Sequence, residues 1–311
     1  MSLYRSTSIW DDIRREFRMG NMVTRIIMVN IGVFLAMSIT HLIIFFVAGN
    51  PAVQQEWFHQ LTGWFAIPVE PVQILFRPWT IVTYMFLHTG FWHILWNMLF
   101  LFWFGRILHQ FLGNRKILPI YFYGGLVGAA LAILLQNISP TLQEFAPAEY
   151  MLGASAGVMA IVVAAAATAP NYTMFLLLLG PVKLKYIALV VVLLDVIAIP
   201  SLSNTGGHIA HLGGAILGLM FIRQLQRGRD WSVGFNRVFE ALEALFARRR
   251  RPRVVYRRQQ RETNFSKGRS SRYAKDKQQQ LDEILDKIAK SGYENLSKEE
   301  KEFLFRVSKE E

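Results

Sequence analysis

Cysteine is absent from all 311 residues. Its absence excludes disulfides, thiolate nucleophiles and cysteine–zinc sites together. Charge is the second shortage: Asp, Glu, Lys and Arg supply 18% of the chain, against about 25% in an ordinary globular protein. Apolar residues reach 52% and the mean hydropathy is +0.26, which excludes disorder or a collagen-like state for the bulk of the chain. The shortage of charge is uneven. Charged residues are sparse from residue 28 to residue 222 and crowd from Arg223 onward. A membrane-embedded body with a polar tail is therefore expected. No cleavable signal peptide is read at the start, because the first apolar run begins only near Ile26 and is too long for a signal's apolar core.

What is present divides into spans. A bilayer-crossing helix needs about 20 mostly apolar residues, and six stretches qualify: about 25–48, 91–111, 116–136, 153–169, 186–199 and 207–225. The apolar run 172–179 is broken by Gly180-Pro181. It reads as an interfacial connector or as an extension of the fifth span, with seven spans as the alternative. Lys and Arg favour cytoplasmic loops. Arg14, Arg15, Arg18 and Arg25 precede the first span; Arg106, Arg115 and Lys116 flank the 2–3 loop; Lys183 and Lys185 lie between spans four and five. The opposite loops carry Glu56, Glu70, Glu144 and Glu149 with a single Arg77. Every loop thus agrees with six spans and cytoplasmic termini. The long first loop holds Trp57, Phe58, Trp64, Phe65, Phe76 and Trp79, an aromatic density suited to the headgroup level.

The tail carries much of the net charge of +12. Its segment 248–261 has eight arginines and no acid. Anionic lipid is its expected partner, and nucleic acid is not, since no recognition fold accompanies the charge. Beyond it, Leu281, Ile284, Leu285 and Ile288 recur at helical spacing, Gly292 ends that helix, and Ser297 with Glu300 forms a capping box for the next.

Polar residues inside membrane spans are costly and usually face the protein interior. Three groups stand out. His93 and Asn97 are four apart and share one face of span two, with His88 just ahead. Gly153-Ala-Ser155 opens span four, where unpaired amides favour an anion. His211, Gly214 and Gly218 share one face of span six. Each group alone is compatible with helix packing. Together they are the parts of a serine hydrolase: Ser155 as nucleophile, His211 as its base, and His93, Asn97 and the Ser155 amide as oxyanion donors. All three spans begin on the same side, so the side chains share one depth.

At these residues the chain resembles the rhomboid family of intramembrane serine proteases, over about 24–226. The motifs are His-x-x-x-Asn at His93 and Asn97, Gly-x-Ser at Gly153 and Ser155, and Ala-His-x-x-Gly from Ala210 to Gly214. The resemblance implies an all-α, polytopic membrane protein with a six-transmembrane-helix bundle, in a bacterial inner membrane, with its site toward the periplasm. It implies a Ser155–His211 dyad without an acidic third member, oxyanion positions at His93, Asn97 and Gly153, and a cavity-lining role for His88. No cofactor and no metal is implied, and the partners are transmembrane protein substrates. Arg77-Pro-Trp79 resembles the end of the family's membrane-lying first loop. Three positions depart from the pattern: Ala156 where glycine is frequent, Met159 where an aromatic ring is frequent, and Thr80 after Trp79 where arginine is frequent.

The expected organisation is a cytoplasmic segment 1–23, a catalytic body 24–226, a basic linker 227–274 and a helical hairpin 275–311. The rival functions are a rhomboid-like protein that binds membrane clients without cutting them, a metal-dependent hydrolase using His88, His93, His208 and His211, and a transporter using Asp195. For Asp195, near the outer end of span five, simple hydration is the plain alternative.

Overall fold

A computed structural model of the chain describes residue 17 and residues 20–177, 179–246 and 267–307. Arg14, Arg15, Arg18 and the arginine-rich stretch 248–261 lie outside the described residues.

The first apolar run forms α1 (Met22–Val47), started by the Asn21 side chain, which accepts from the Thr24 amide at 3.0 Å. The first loop then folds into short helices, α2 (Pro51–Phe65), α3 (Pro71–Phe76) and α4 (Thr80–Thr83), plus a 3-10 turn at Tyr84–Phe86. Its aromatics do more than anchor. The Trp64 and Trp79 rings stack at 6.1 Å, the Trp79 indole N–H donates to the Trp64 carbonyl at 2.8 Å, and the Arg77 guanidinium lies over the Trp64 ring. The long helices α5 (Phe91–Leu112), α6 (Asn114–Ile138) and α10 (Thr205–Gln226) follow the expected spans two, three and six. Span five is α9 (Leu184–Ala198), carried on by a 3-10 turn at Ile199–Ser201. A short helix, α7 (Pro140–Phe145), and a two-residue strand β2 (Tyr150–Met151) lead to the fourth span. That strand pairs with β1 (Ile67–Pro68) and so stitches the first loop to the segment ahead of Ser155.

One expected span proves short, and the structure decides between the readings of the run 172–179. The fourth span, α8 (Ser155–Thr168), has only 14 residues, or about 21 Å of helix against a hydrocarbon core of about 30 Å. Among the described residues there are therefore five helices long and apolar enough to cross a membrane, and a shorter sixth. The short helix is tolerated because it sits inside the bundle: every residue from 156 to 162 is buried. It packs against α5, α6 and α10, so its non-helical approach is covered by protein rather than lipid. The run 172–179 is neither a seventh span nor an extension of α9. It enters a hairpin in which β3 (Thr173–Leu176) pairs with β4 (Gly180–Lys183), and Gly180 takes the positive φ that the reversal needs.

Close packing of α8 on α10 depends on Gly214, where any β-carbon would collide with the Ala156 carbonyl oxygen. Ala156, the departure from the family pattern, is accommodated on its other side: its methyl group rests against Gly128 of α6.

The basic connections gather at one end of the bundle. The Met22 amide donates to the Asn114 side chain at 2.6 Å, Phe111 meets Tyr172 beside the β3–β4 hairpin, and Lys116 pairs with Asp230. Helix α11 (Ser232–Phe246) docks at that same end. Its Phe235 meets Phe122 and Tyr123, and its Asn236 side chain donates to the Arg115 carbonyl at 3.1 Å. The sequence reading leaves these residues inside the linker 227–274, because the surrounding charges mask the helix's apolar face. Burial raises the Asp230 carboxyl, but hydrogen bonds from Lys116 and Ser232 outweigh it and hold the carboxyl below its ordinary range. A depressed carboxylate stabilises the fold above its unfolded value of about 3.9, and that contribution is lost as pH falls through the folded value. Melting temperature should thus fall as pH drops below about 4. An Asp230→Asn variant, melted beside wild type across that pH range, should start lower at pH 7 and lose less on acidification.

The chain divides into two compact units, Met1–Ala247 and Arg248–Glu311. In the second, α12 (Lys267–Ser291) begins ahead of the expected residue 275 and ends at Gly292. The capping box is made: the Ser297 hydroxyl accepts from the Glu300 amide at 3.2 Å, and the Glu300 carboxylate accepts from the Ser297 amide at 2.7 Å. It opens α13 (Lys298–Val307).

Candidate active site

Gly153 governs the approach to α8. Its φ of +126° is reached readily only by glycine, and a β-carbon there would stand 2.8 Å from the His93 ring. Its amide donates to the Tyr84 carbonyl at 2.9 Å. The next amide, of Ala154, donates to Nε2 of His88 at 3.4 Å. These two bonds fix the turn that delivers Ser155 to the first position of α8. Among the described residues no side chain caps that helix N-terminus, so its first amides remain available to an anion.

Four of the sequence-selected residues line one cavity of about 400 Å³. His93 and Asn97 enter it from α5, Ser155 from α8 and His211 from α10, together with Trp92, Met159, Asp195 and Asn204. Asn97 spends one amide hydrogen on the His93 carbonyl at 2.8 Å, leaving the second free to donate. Gly153 sits between the His93 ring and Ser155. Among the described residues, no hydrogen bond joins the Ser155 hydroxyl to His211.

His88 is placed differently from its expected cavity-lining role. It is 1% exposed and belongs to neither this cavity nor the adjoining one. Burial and the neighbouring His93 hold its imidazole far below the ordinary range, at about 3. A neutral ring is what accepting the Ala154 amide requires. His88 shapes the turn before Ser155 instead of facing water.

Asp195 was not foreseen as a site residue. It is 7% exposed and lines the site cavity. One of its oxygens, Oδ1, lies 2.8 Å from Nδ1 of His211 and 2.7 Å from Nδ1 of His208. The available signal was an acid in an apolar helix followed on the next span by two histidines three apart. Asp195, His208 and His211 also form the one group among the described residues with metal-ligand spacing, but hydrogen bonds already account for how they lie.

A second cavity of about 420 Å³ adjoins the first, sharing His93 and Asn204 with it. Its lining includes the polar side chains of Thr89, Tyr150 and Thr205.

Comparison with known proteins agrees with this architecture. Residues 76–227 match the Rhomboid domain family, and residues 271–310 match a family of unknown function, DUF6576. The chain is 25% identical over 158 residues to RHOMBOID-like protein 12, mitochondrial, of Arabidopsis thaliana, a match covering 48% of this chain and 47% of that one. The chain thus spans about half the length of the curated relative it matches. With five long apolar helices and a buried sixth among the described residues, this is a multi-pass membrane protein whose residues 76–227 are similar to the Rhomboid domain family.

Proposed function

We propose that the chain is an intramembrane serine endopeptidase acting on transmembrane segments of other membrane proteins. The observation that carries this reading is the convergence of His93, Asn97, Ser155 and His211, from three helices, on one cavity. His211 takes the Ser155 proton as the hydroxyl oxygen attacks the scissile carbonyl carbon. His93, Asn97 and the uncapped amides of α8 stabilise the resulting oxyanion, each donor being worth about 10²–10³ in rate. His211 then protonates the leaving amine, and water reaching the site past His93 and Asn204 hydrolyses the acyl enzyme. The site opens at the end of the bundle opposite the basic connections. By the bias of Lys and Arg that end faces away from the cytoplasm, toward the periplasm if the membrane is a bacterial inner one.

The cavity is bounded by α5 and α9. Helix α9 exposes Leu189, Val190, Leu193 and Leu194, which makes it the natural side for lateral entry. A helical substrate hides its scissile carbonyls in hydrogen bonds four residues along, so it must unwind to be cut. Single-span substrates carrying Gly or Pro near the cleavage point should be cut about fivefold faster or more than leucine-rich counterparts, the expected consequence of a helix weakened by about 1 kcal/mol or more. Cleavage of such a pair in liposomes by the purified protein, read by mass spectrometry, tests the reading.

A second reading, capture of membrane clients without cleavage, is favoured by the missing Ser155–His211 hydrogen bond. Free enzymes often show that bond long and form it on substrate binding, so cleavage itself decides.

A further inference from the structure

The family resemblance implies a dyad with no acidic member, and the geometry here departs from it. We propose that Asp195 is a positioning residue for His211, holding its ring in the tautomer that leaves Nε2 free to act as the base for Ser155. This rests on the hydrolase reading above and extends it to a residue on a different helix.

Three observations carry the inference. First, the contact is made at the right atom. Asp195 Oδ1 lies 2.8 Å from Nδ1 of His211; a carboxylate only accepts, so Nδ1 must carry the proton. An imidazole protonated on Nδ1 offers its lone pair at Nε2, the nitrogen that a serine nucleophile needs. Second, the acid is itself held. His208, one helical turn ahead of His211, points its Nδ1 to the same oxygen at 2.7 Å. Two donors on one oxygen fix the carboxylate from the α10 side. Third, a membrane helix tolerates a buried acid only at a cost. Asp195 faces the site cavity from α9, which is otherwise largely apolar, and its Oδ2 is buried without a protein partner. Packing between α9 and α10 does not require such a group.

A purely structural role makes the opposite forecast. If Asp195 only ties α9 to α10, removing the tie loosens the side where substrate enters, and activity holds or rises. If it positions His211, kcat falls while KM does not.

The test compares purified wild type, Asp195→Asn, Asp195→Glu and Ser155→Ala in liposomes, with folding checked by thermal melting. For Asp195→Asn we expect kcat to fall about 10²–10⁴-fold with KM within about twofold, the range set by the loss of an orienting carboxylate elsewhere. Asp195→Glu should recover part of the loss. In parallel, ¹⁵N-histidine NMR of the full chain should show His211 protonated on Nδ1 in wild type and losing that preference in Asp195→Asn. The His208→Ala variant, which keeps the Asp195–His211 pair, should retain it. This spectrum also stands in if Asp195→Asn folds poorly. The proposal is overturned if Asp195→Asn matches wild type while Ser155→Ala is dead, or if wild-type His211 carries its proton on Nε2. Wild type that cuts nothing sinks the hydrolase reading and the catalytic role with it, and the NMR then shows separately whether the Asp195–His211 linkage exists.

Discussion

Replacing Ser155 by alanine is expected to lower kcat by about 10⁵–10⁶-fold, the loss typical of removing a serine nucleophile or its base, with the fold intact. Ser155 is the first residue of α8, and its side chain makes no hydrogen bond among the described residues, so its removal leaves no buried partner stranded. His211→Ala should cost a similar factor. The double variant should be scarcely worse than either single one, because nucleophile and base act as a unit. Additive losses from the two substitutions would show that they act in separate steps. Substrate cleavage in liposomes measures both, with melting temperature as the control. Equal melting temperatures with lost cleavage identify a chemical role.

A valine at Gly214 should be the most damaging change in the body. The β-carbon position is already occupied by the Ala156 carbonyl oxygen, and neither backbone can yield. Helix α8 is also held by Tyr121, whose carbonyl would stand 2.6 Å from a β-carbon at Gly157. Overpacking of a filled core costs about 1–3 kcal/mol and occasionally more. Gly214→Val belongs at or beyond the upper end, because the obstacle is backbone and not a flexible side chain. The same shift would displace Ser155, the residue before Ala156, so activity should vanish along with stability. Gly32 in α1 is the contrast: nothing lies within 4 Å of its β-carbon position, and Gly32→Ala should be neutral or slightly stabilising. Thermal unfolding in detergent compares the two. If Gly214→Val melts like wild type, the close approach of α10 to α8 is wrong.

The long spans were legible because hydropathy reports directly on what a bilayer selects. The tail caps were equally legible, since Gly292 and the Ser297–Glu300 pair act within one turn of chain. Interactions between helices were harder to read. Asp195 and His211 are 16 residues apart and meet only once α9 and α10 are packed; from sequence, an acid near a span's end looks the same whether hydrated or paired. The accommodation of Ala156 was hidden for a similar reason. Whether its methyl group disturbs packing depends on Gly128 of another helix, which no local pattern links to it. Helix α11 was obscured by the arginines around it. Its apolar face gains meaning only from Phe122 and Tyr123, more than a hundred residues earlier. For His88 the sequence shows only its nearness to His93, and not which backbone group it meets. Burial turned a histidine beside a cavity into an acceptor for the Ala154 amide.

The most direct test of the central claim is covalent labelling of the purified, membrane-embedded protein by a fluorophosphonate, with the modified residue located by mass spectrometry. A serine becomes reactive toward such a probe only when a base activates it and an oxyanion site receives the phosphoryl oxygen. The account predicts one adduct, on Ser155, that disappears in His211→Ala while the protein stays folded. Labelling that is absent from wild type, spread over other serines, or unchanged in His211→Ala would contradict it.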